Sequence, residues 1–415
     1  MTEQTSQIEL IAIGDELLDG QIANTNSAII SEKLKMLGLK VSRHTVIPDC
    51  METVISELRK ATERSRLVIV TGGLGPTEDD LTAEAAAKAF GLEFKLNETV
   101  LELLKEYFVR INRPFFESNI KQAFLPEGAK YYINKRGTAP AFRIEHNGTR
   151  LYFGPGVPHE SFGFMDDDFI PEIREFFSVA QPFRRHFRIF GLGESQLSDM
   201  LADLEKPSPV EFHYRVVSPS VYLTLIASES VISAEDFTAL GDETAKRLGN
   251  HVYTEEEREL AEIVIDLLRR NGKTLACAES CTGGLIATLI TDIPGASDVF
   301  KGGAVTYSNE AKINILGVNP ESLERFGAVS EEVARQMAEG AQQRFGADFA
   351  VSTSGIAGPG GGSPEKPVGT LAVGSAGPSG AEAEVKQLPP FGRLSFRRMA
   401  AYTALTKILR LLDNK

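Results

Sequence analysis

The stretch Ala278-Glu279-Ser280-Cys281-Thr282-Gly283-Gly284 places a serine between a short apolar run, Thr274 to Cys277, and a segment from Leu285 to Ile290 that reads as a helix. A hydroxyl on such a strand-to-helix turn, backed by two glycines, sits where a nucleophile and backbone N–H donors can converge. No histidine occurs from Glu255 to Lys415. A Ser-His-Asp triad therefore cannot be built within this segment, and the base for Ser280 must be a lysine, a carboxylate or a tyrosine. Lys312, reached through Tyr307-Ser308-Asn309-Glu310-Ala311-Lys312, is the best-placed base. It serves only when neutral, which requires burial or a neighbouring positive charge to bring its pKa well below about 10.4. Cys281 is the rival nucleophile, intrinsically better as a thiolate but without a histidine to activate it. Cys277 and Cys281 are spaced C-x3-C, yet no second pair or nearby histidine completes a zinc site.

Further along, Ser354-Gly355-Ile356-Ala357-Gly358-Pro359-Gly360-Gly361-Gly362 follows an apolar run at Phe349 to Ser352. So many backbone amides at a strand end suit an oxyanion or a phosphate, with a plain surface loop as the alternative. The lack of Gly-Lys-Ser/Thr argues against an ATP-type P-loop. Arg393 and Arg397, one turn apart at the head of the last helix, have the reach to hold a phosphate or to form a solvated basic face.

The N-terminal part carries its own signal, Thr71 to Thr82, TGGLGPTEDDLT. A glycine-rich turn lets amides approach a phosphate, and the helix start near Thr82 adds a favourable dipole. Glu78, Asp79 and Asp80 would repel a bare phosphate; with a divalent cation bridging carboxylate and pyrophosphate they become compatible. Acids are also favoured at any solvated helix start. Asp15 and Glu16, after the first strand, are expected on the same crevice, with Asn24 and Asn26 adding polar contacts. Gly137 to Ala141 and Gly154 to Glu160 read as turns near the same sheet, either plain tight turns or loops lining the substrate.

These groups need scaffolds. Strands at Ile8–Ile13, Leu39–Val46 and Leu67–Val70 alternate with helices at Asn26–Leu37 and Met51–Arg64. That βαβαβ order predicts a parallel sheet covered by helices on both faces, with ligands beyond the carboxyl ends of the strands. The middle segment has strands at Phe187–Phe190 and Val221–Ala227 and helices at Glu194–Leu204 and Ala234–Leu248, a small α+β module entered through a linker at Gln181 to Arg185. In it, Gly191-Leu192-Gly193-Glu194-Ser195 could grip an anion at a helix start, with a plain turn and cap as the favoured reading. The last segment opens with a helix over Glu257–Arg270, continues with strands at Thr274–Cys277, Gly303–Tyr307, Phe349–Ser352 and Gly369–Gly374, and closes with a helix from Ser395 to Leu412, a second layered α/β domain.

Bulk properties narrow the class. The chain has 415 residues, 42% of them hydrophobic and 24% charged, as in a soluble globular protein with two or three cores. A net charge of −13 argues against general binding to nucleic acid or anionic membrane. No bilayer-spanning run is present, and the polar start from Met1 to Gln7 lacks the apolar core of a signal peptide. Three cysteines are too few for a disulfide framework, so a cytoplasmic location is expected.

Over the whole chain these motifs resemble the CinA family of competence/damage-inducible proteins. Gly14-Asp15-Glu16-Leu17-Leu18 with Gly20, Asn24 and Asn26, then TGGLGPTEDDLT, Gly137–Pro140 and Gly154–Glu160 resemble its molybdopterin-binding-like domain. AESCTGG, Tyr307–Lys312 and SGIAGPGG resemble its C-terminal domain. The resemblance implies a three-layer molybdopterin-binding-like domain over 1–177, a small α+β domain over 178–254 and a layered α/β amidohydrolase domain over 255–415. It implies that the last domain hydrolyses the amide of nicotinamide mononucleotide, with Ser280 as nucleophile, Lys312 as base and Tyr307 in support. Thr282, Gly283, Gly284, Asn309, Ser354, Gly355, Gly358, Gly360, Arg393 and Arg397 would line that substrate site. For the first domain it implies an ADP-ribose pyrophosphatase, with phosphates at Gly14, Asn24, Asn26, Thr71, Gly72, Gly73, Gly75 and Thr77. Its metal would be Mg2+, Mn2+ or Co2+, with K+ as a further ion, on Asp15, Glu16, Asp79 and Asp80; the deamidase needs no cofactor. Ala141 departs from the pattern, standing where the family usually carries glycine. The partners implied are the two small nucleotides and a second copy in a homodimer, with no direct nucleic acid and no membrane. Two alternatives stand beside this: a first domain that binds a pterin or nucleotide without turnover, and a chain that acts as a scaffold in DNA uptake or repair.

Overall fold

The computed structural model describes residues 7–179 and 182–413. Met1 to Ser6, at the polar start, and Gln181, in the expected linker, lie outside the described residues. The chain divides into two compact units, Met1–Pro182 and Phe183–Lys415.

The first unit runs β1 (Ile8–Ile13), α1 (Asp15–Leu18), α2 (Thr25–Met36), β2 (Arg43–Ile47), α3 (Met51–Arg64), β3 (Leu67–Thr71), α4 (Thr82–Phe90), β4 (Phe94–Leu96), α5 (Glu98–Arg110), β5 (Phe124–Pro126), β6 (Lys130–Tyr132), β7 (Ala141–His146), β8 (Thr149–Gly154), α6 (Pro158–Phe164) and α7 (Ile170–Phe177). Its six-stranded sheet has the order β2-β1-β3-β8-β7-β6, parallel from β2 to β8 and antiparallel from β8 to β6. Alternation along each strand makes this a three-layer structure. Ile11, Ile13, Val68 and Val70 pack with α3, α4 and α5, whereas Ile8, Leu10, Leu67 and Ile69 pack with α2, α6 and α7. The second strand starts later than Leu39 for a local reason. Gly38 N–H and Leu39 N–H bond back to Lys35 O and Leu34 O at the end of α2, so pairing begins only after Ser42 N–H meets Ile8 O.

The second unit holds two sheets. Strands β9 (Phe183–Phe190), β10 (Glu211–Val217), β11 (Ser220–Ala227) and β12 (Val252–Thr254) form an antiparallel sheet ordered β10-β11-β9-β12, with α8 (Glu194–Glu205) and α9 (Ala234–Leu248). Phe183, Arg184 and Arg185, read as linker, open β9. The start of α8 is a cap, as expected, with Gly193 N–H bonded to Gln196 Oε1 at 3.0 Å.

The remaining elements are α10 (Leu260–Arg270), β13 (Leu275–Glu279), α11 (Leu285–Thr291), β14 (Phe300–Val305), α12 (Asn309–Leu316), α13 (Pro320–Phe326), α14 (Glu331–Phe345), β15 (Phe349–Gly355), β16 (Thr370–Gly377), β17 (Gly380–Gln387) and α15 (Arg393–Asp413). The helix expected from Glu257 begins at Leu260, because Glu262 caps it by accepting Glu259 N–H at 2.7 Å. The sheet order is β14-β13-β15-β16-β17, with β13 parallel to both neighbours. Leu275, Cys277 and Val351 face α10, α11 and α15; Ala276, Ala278 and Ala350 face α14. Those small residues allow close approach: a Cβ on Gly374 would stand 2.3 Å from Ala334 O in α14. Since β13 is followed by β14 on one side and by β15 on the other, its carboxyl end, where Ser280 lies, is a switch point of the sheet.

Candidate active site

Ser280 leaves β13 as a buried residue, its N–H tied to Thr353 O on β15 at 3.0 Å. The turn it opens needs left-handed backbone at Gly283 (φ 60°) and Gly284 (φ 94°). Lys312, near the middle of α12, is 1% exposed. Its Nζ lies 3.1 Å from Ser280 Oγ, 2.8 Å from Thr306 O and 3.4 Å from Tyr307 O. Among the described residues no carboxylate pairs with it, and burial lowers its pKa below the usual lysine value. A neutral amine fits this setting well. In the neutral form its two N–H bonds can meet the two carbonyls and leave the lone pair for the serine hydroxyl, the arrangement a general base needs.

The neighbours of this pair take up definite roles. Burial pushes the Cys281 thiol up to about 12, which removes the thiolate that would make it the nucleophile. Thr282 and Thr353 share a hydroxyl contact at 2.8 Å within the protein. Arg397 donates from Nε and Nη2 to Thr282 O at 3.1 and 2.7 Å, so this arginine clamps the turn. Arg393 donates to Gly358 O at 3.2 Å and to the hydroxyl of Tyr307 at 2.8 Å. Tyr307 thus meets Lys312 through its carbonyl, while its side chain, 61% exposed, reaches toward Arg393. Ser354 is buried within β15, Gly355 packs against Phe396, and Gly360 and Asn309 are exposed. Glu279 and Thr306 were not singled out from the sequence, although a carboxylate ending the buried strand LACAE is itself a signal.

In the first unit the glycine loop lies over the ends of β1 and β3, where the sheet order switches. A Cβ on Gly72 would meet Ile13 O at 2.1 Å, and one on Gly73 would meet Thr82 Oγ1 at 2.2 Å. Thr71 ends β3, and Gly14 N–H is bonded to Ile47 O at 3.1 Å. Asn24 caps α2 by accepting Ser27 N–H at 3.1 Å. Asn26 donates to Gly156 O at 2.8 Å and keeps a buried Oδ1 with no partner. Asp49, absent from the sequence expectations, accepts Asp15 N–H at 3.1 Å; burial, with smaller help from the charges of Asp15, Glu16 and Asp79, pushes its carboxyl up against that bond. Asp80 points elsewhere, accepting Thr77 N–H and Oγ1–H at 2.9 and 2.6 Å and lying against Gly75. Among the described residues no group of three or more acidic, histidine or cysteine side chains is arranged to hold a metal ion. As arranged, Asp15, Glu16, Asp79 and Asp80 do not fit a common cation.

Fold and site together define a two-unit α/β protein with a molybdopterin-binding-like first domain and a buried serine–lysine pair in the last. Residues 9–175 match the family described as probable molybdopterin binding domain, and residues 257–412 match the CinA C-terminal domain. A putative competence-damage inducible protein of Acetivibrio thermocellus is 43% identical over 97% of this chain and 98% of its own length. A CinA-like protein of Shewanella amazonensis is 38% identical over 99% of this chain and 96% of its own. The crystal structure of competence/damage inducible protein CihA from Agrobacterium tumefaciens is 45% identical, covering 37% of this chain and 93% of that one at a TM-score of 0.36. The chain belongs to the CinA family. Among the described residues no helix is long and apolar enough to cross a membrane.

Proposed function

We propose that the C-terminal domain is a serine–lysine amidohydrolase acting on the carboxamide of nicotinamide mononucleotide. The observation that carries this reading is the buried 3.1 Å approach of Lys312 Nζ to Ser280 Oγ in a segment without histidine. Ser280 Oγ attacks the carboxamide carbon as its proton passes to neutral Lys312, giving a tetrahedral oxyanion. The C–N bond breaks as the Lys312 ammonium returns the proton to the leaving nitrogen, which departs as ammonia. Water then attacks the acyl ester, again giving its proton to Lys312, and the ester C–O bond breaks as Ser280 Oγ regains a proton. A pyridinium carboxamide suits this site because its ring charge favours a neutral lysine beside it. Arg393, exposed at the rim with Tyr307, is the group assigned to the 5′-phosphate; Arg397 is already engaged with Thr282 O. The test is ammonia release from nicotinamide mononucleotide by purified protein. Wild type should turn over, and a folded Ser280→Ala protein should fall to below about one part in 10,000 of it. Equal turnover by both sinks the reading.

For the first domain we propose a nucleotide-diphosphate site at the Gly72–Gly73 loop beyond β1 and β3, near Asn26, whose buried Oδ1 lacks a partner. ADP-ribose pyrophosphatase activity is the finer reading of that site. Assaying AMP release from ADP-ribose with Mg2+, Mn2+ or Co2+ separates it from a binding module, which would bind the nucleotide without cleaving it.

A further inference from the structure

Directly before the nucleophile stands Glu279, the last residue of β13 and 1% exposed. Among the described residues it has no cationic partner. Its Oε2 accepts the N–H groups of Gly284 and Ile286 at 2.9 and 3.1 Å, and its Oε1 accepts Ala287 N–H at 2.9 Å. A buried carboxylate is tolerated only when its lone pairs are met, and three backbone donors meet them here. The consequence falls on the turn between. Leu285 N–H bonds to Thr282 O, and Gly283 N–H to Ser280 O. With Gly284, Ile286 and Ala287 held by Glu279, the head of α11 is closed by a protein carboxylate and is not open to a substrate anion. The two amides left are those that follow the nucleophile directly. Among the described residues, the N–H groups of Cys281 and Thr282 have no carbonyl or carboxylate acceptor. From the other side, Arg397 pins Thr282 O with two bonds.

We infer that Glu279 is the positioning residue of the nucleophile turn: by binding the N–H groups of Gly284, Ile286 and Ala287 it holds the Cys281 and Thr282 amides as the oxyanion donors for attack by Ser280. This rests on Ser280 being the nucleophile, though not on the identity of the substrate. Pre-set donors of this kind are needed most in the transition state, when charge appears on the former carbonyl oxygen. Glutamine is the informative replacement. Its amide oxygen still accepts, but its NH2 faces a backbone N–H, so one of the three bonds is lost and the turn loosens.

The test uses a fluorophosphonate on the full-length protein. Labelling forms a Ser280 Oγ–P bond and breaks P–F; the serine proton passes to Lys312 and fluoride leaves. Both the rate constant and the final stoichiometry are measured. Wild type should label at Ser280, and Glu279→Gln should label to the same stoichiometry at least tenfold more slowly, with the pH midpoint set by Lys312 unchanged. With nicotinamide mononucleotide, the same variant should lose kcat at nearly constant KM. A wild-type rate constant with reduced stoichiometry would mean that Glu279 only keeps molecules folded, and it would overturn the inference. So would an unchanged rate at full stoichiometry. If Glu279→Gln does not fold, Arg397→Gln loosens the same turn from its carbonyl side and should show full but slowed labelling; an unchanged rate there also overturns it. Failure of wild type to label at Ser280 would instead remove the nucleophile assignment itself.

Discussion

Lys312 Nζ and Ser280 Oγ are 3.1 Å apart in a setting that holds the lysine between two backbone carbonyls, Thr306 O at 2.8 Å and Tyr307 O at 3.4 Å. Neither carbonyl carries a formal charge, so these hydrogen bonds offset only part of the cost of burying an ammonium, and burial lowers the Lys312 pKa. The same contacts orient a neutral amine with its lone pair on the hydroxyl. The same geometry thus favours the neutral amine and suits proton transfer from the Ser280 hydroxyl.

That arrangement makes stability depend on pH with a definite sign. An unfolded Lys312 ionises at its ordinary value of 10.5, the folded one lower. Between those two values the unfolded chain binds more protons, so stability rises with pH across this window, and the full penalty is present below it. Wild type should gain stability relative to Lys312→Met as pH rises from neutral toward 10. Parallel denaturation curves at every pH would show that burial has not shifted this lysine.

Cys281 should prove chemically quiet. With its thiol pushed up to about 12 by burial, it has almost no thiolate at neutral pH. Iodoacetamide should leave it unmodified in the folded protein, and Cys281→Ala should keep kcat/KM within about twofold. Rapid alkylation that parallels loss of ammonia release would return Cys281 to consideration as nucleophile.

Much of this was legible beforehand, for identifiable reasons. The serine–lysine pairing followed from an absence, since a chain segment without histidine leaves few bases. The parallel strands were readable because β1, β3 and β13 are short apolar runs bounded by turns. Strand β17 was not: GAEAEVKQ is an edge strand rich in alanine and glutamate, residues that carry little strand preference. Likewise, Arg393 and Arg397 look alike in sequence. Only the packing of α15 shows that one guanidinium faces a backbone carbonyl of the nucleophile turn and the other faces Tyr307.

Those two arginines should therefore respond differently. Arg393→Gln is expected to raise KM for nicotinamide mononucleotide by about 10- to 100-fold, the worth of a charge-assisted bond to phosphate, with kcat little changed. The same variant should act on nicotinamide riboside, which has no phosphate, as wild type does. Equal losses on both substrates would place Arg393 in a role other than phosphate binding.

Asp80 is expected to behave as a turn anchor. It accepts both Thr77 N–H and Thr77 Oγ1–H at one oxygen, so Asp80→Ala should destabilise the first unit by about 1–2 kcal/mol. Ammonia release, assigned to the other unit, should be unaffected. A variant that keeps wild-type thermal stability yet loses metal-stimulated ADP-ribose cleavage would instead make Asp80 a ligand.

The most direct test of the central claim is kcat/KM for ammonia release from nicotinamide mononucleotide, followed against pH in wild type, Lys312→Ala and Lys312→Arg. The neutral amine is the active form, so wild-type kcat/KM should rise with pH through an ionisation below 10.5. Arginine cannot give up its proton at working pH, so Lys312→Arg should be nearly as impaired as Lys312→Ala, by about 100- to 10,000-fold. A Lys312→Arg enzyme that retains most of the activity, with the wild-type pH profile, would contradict the assignment of Lys312 as the base for Ser280.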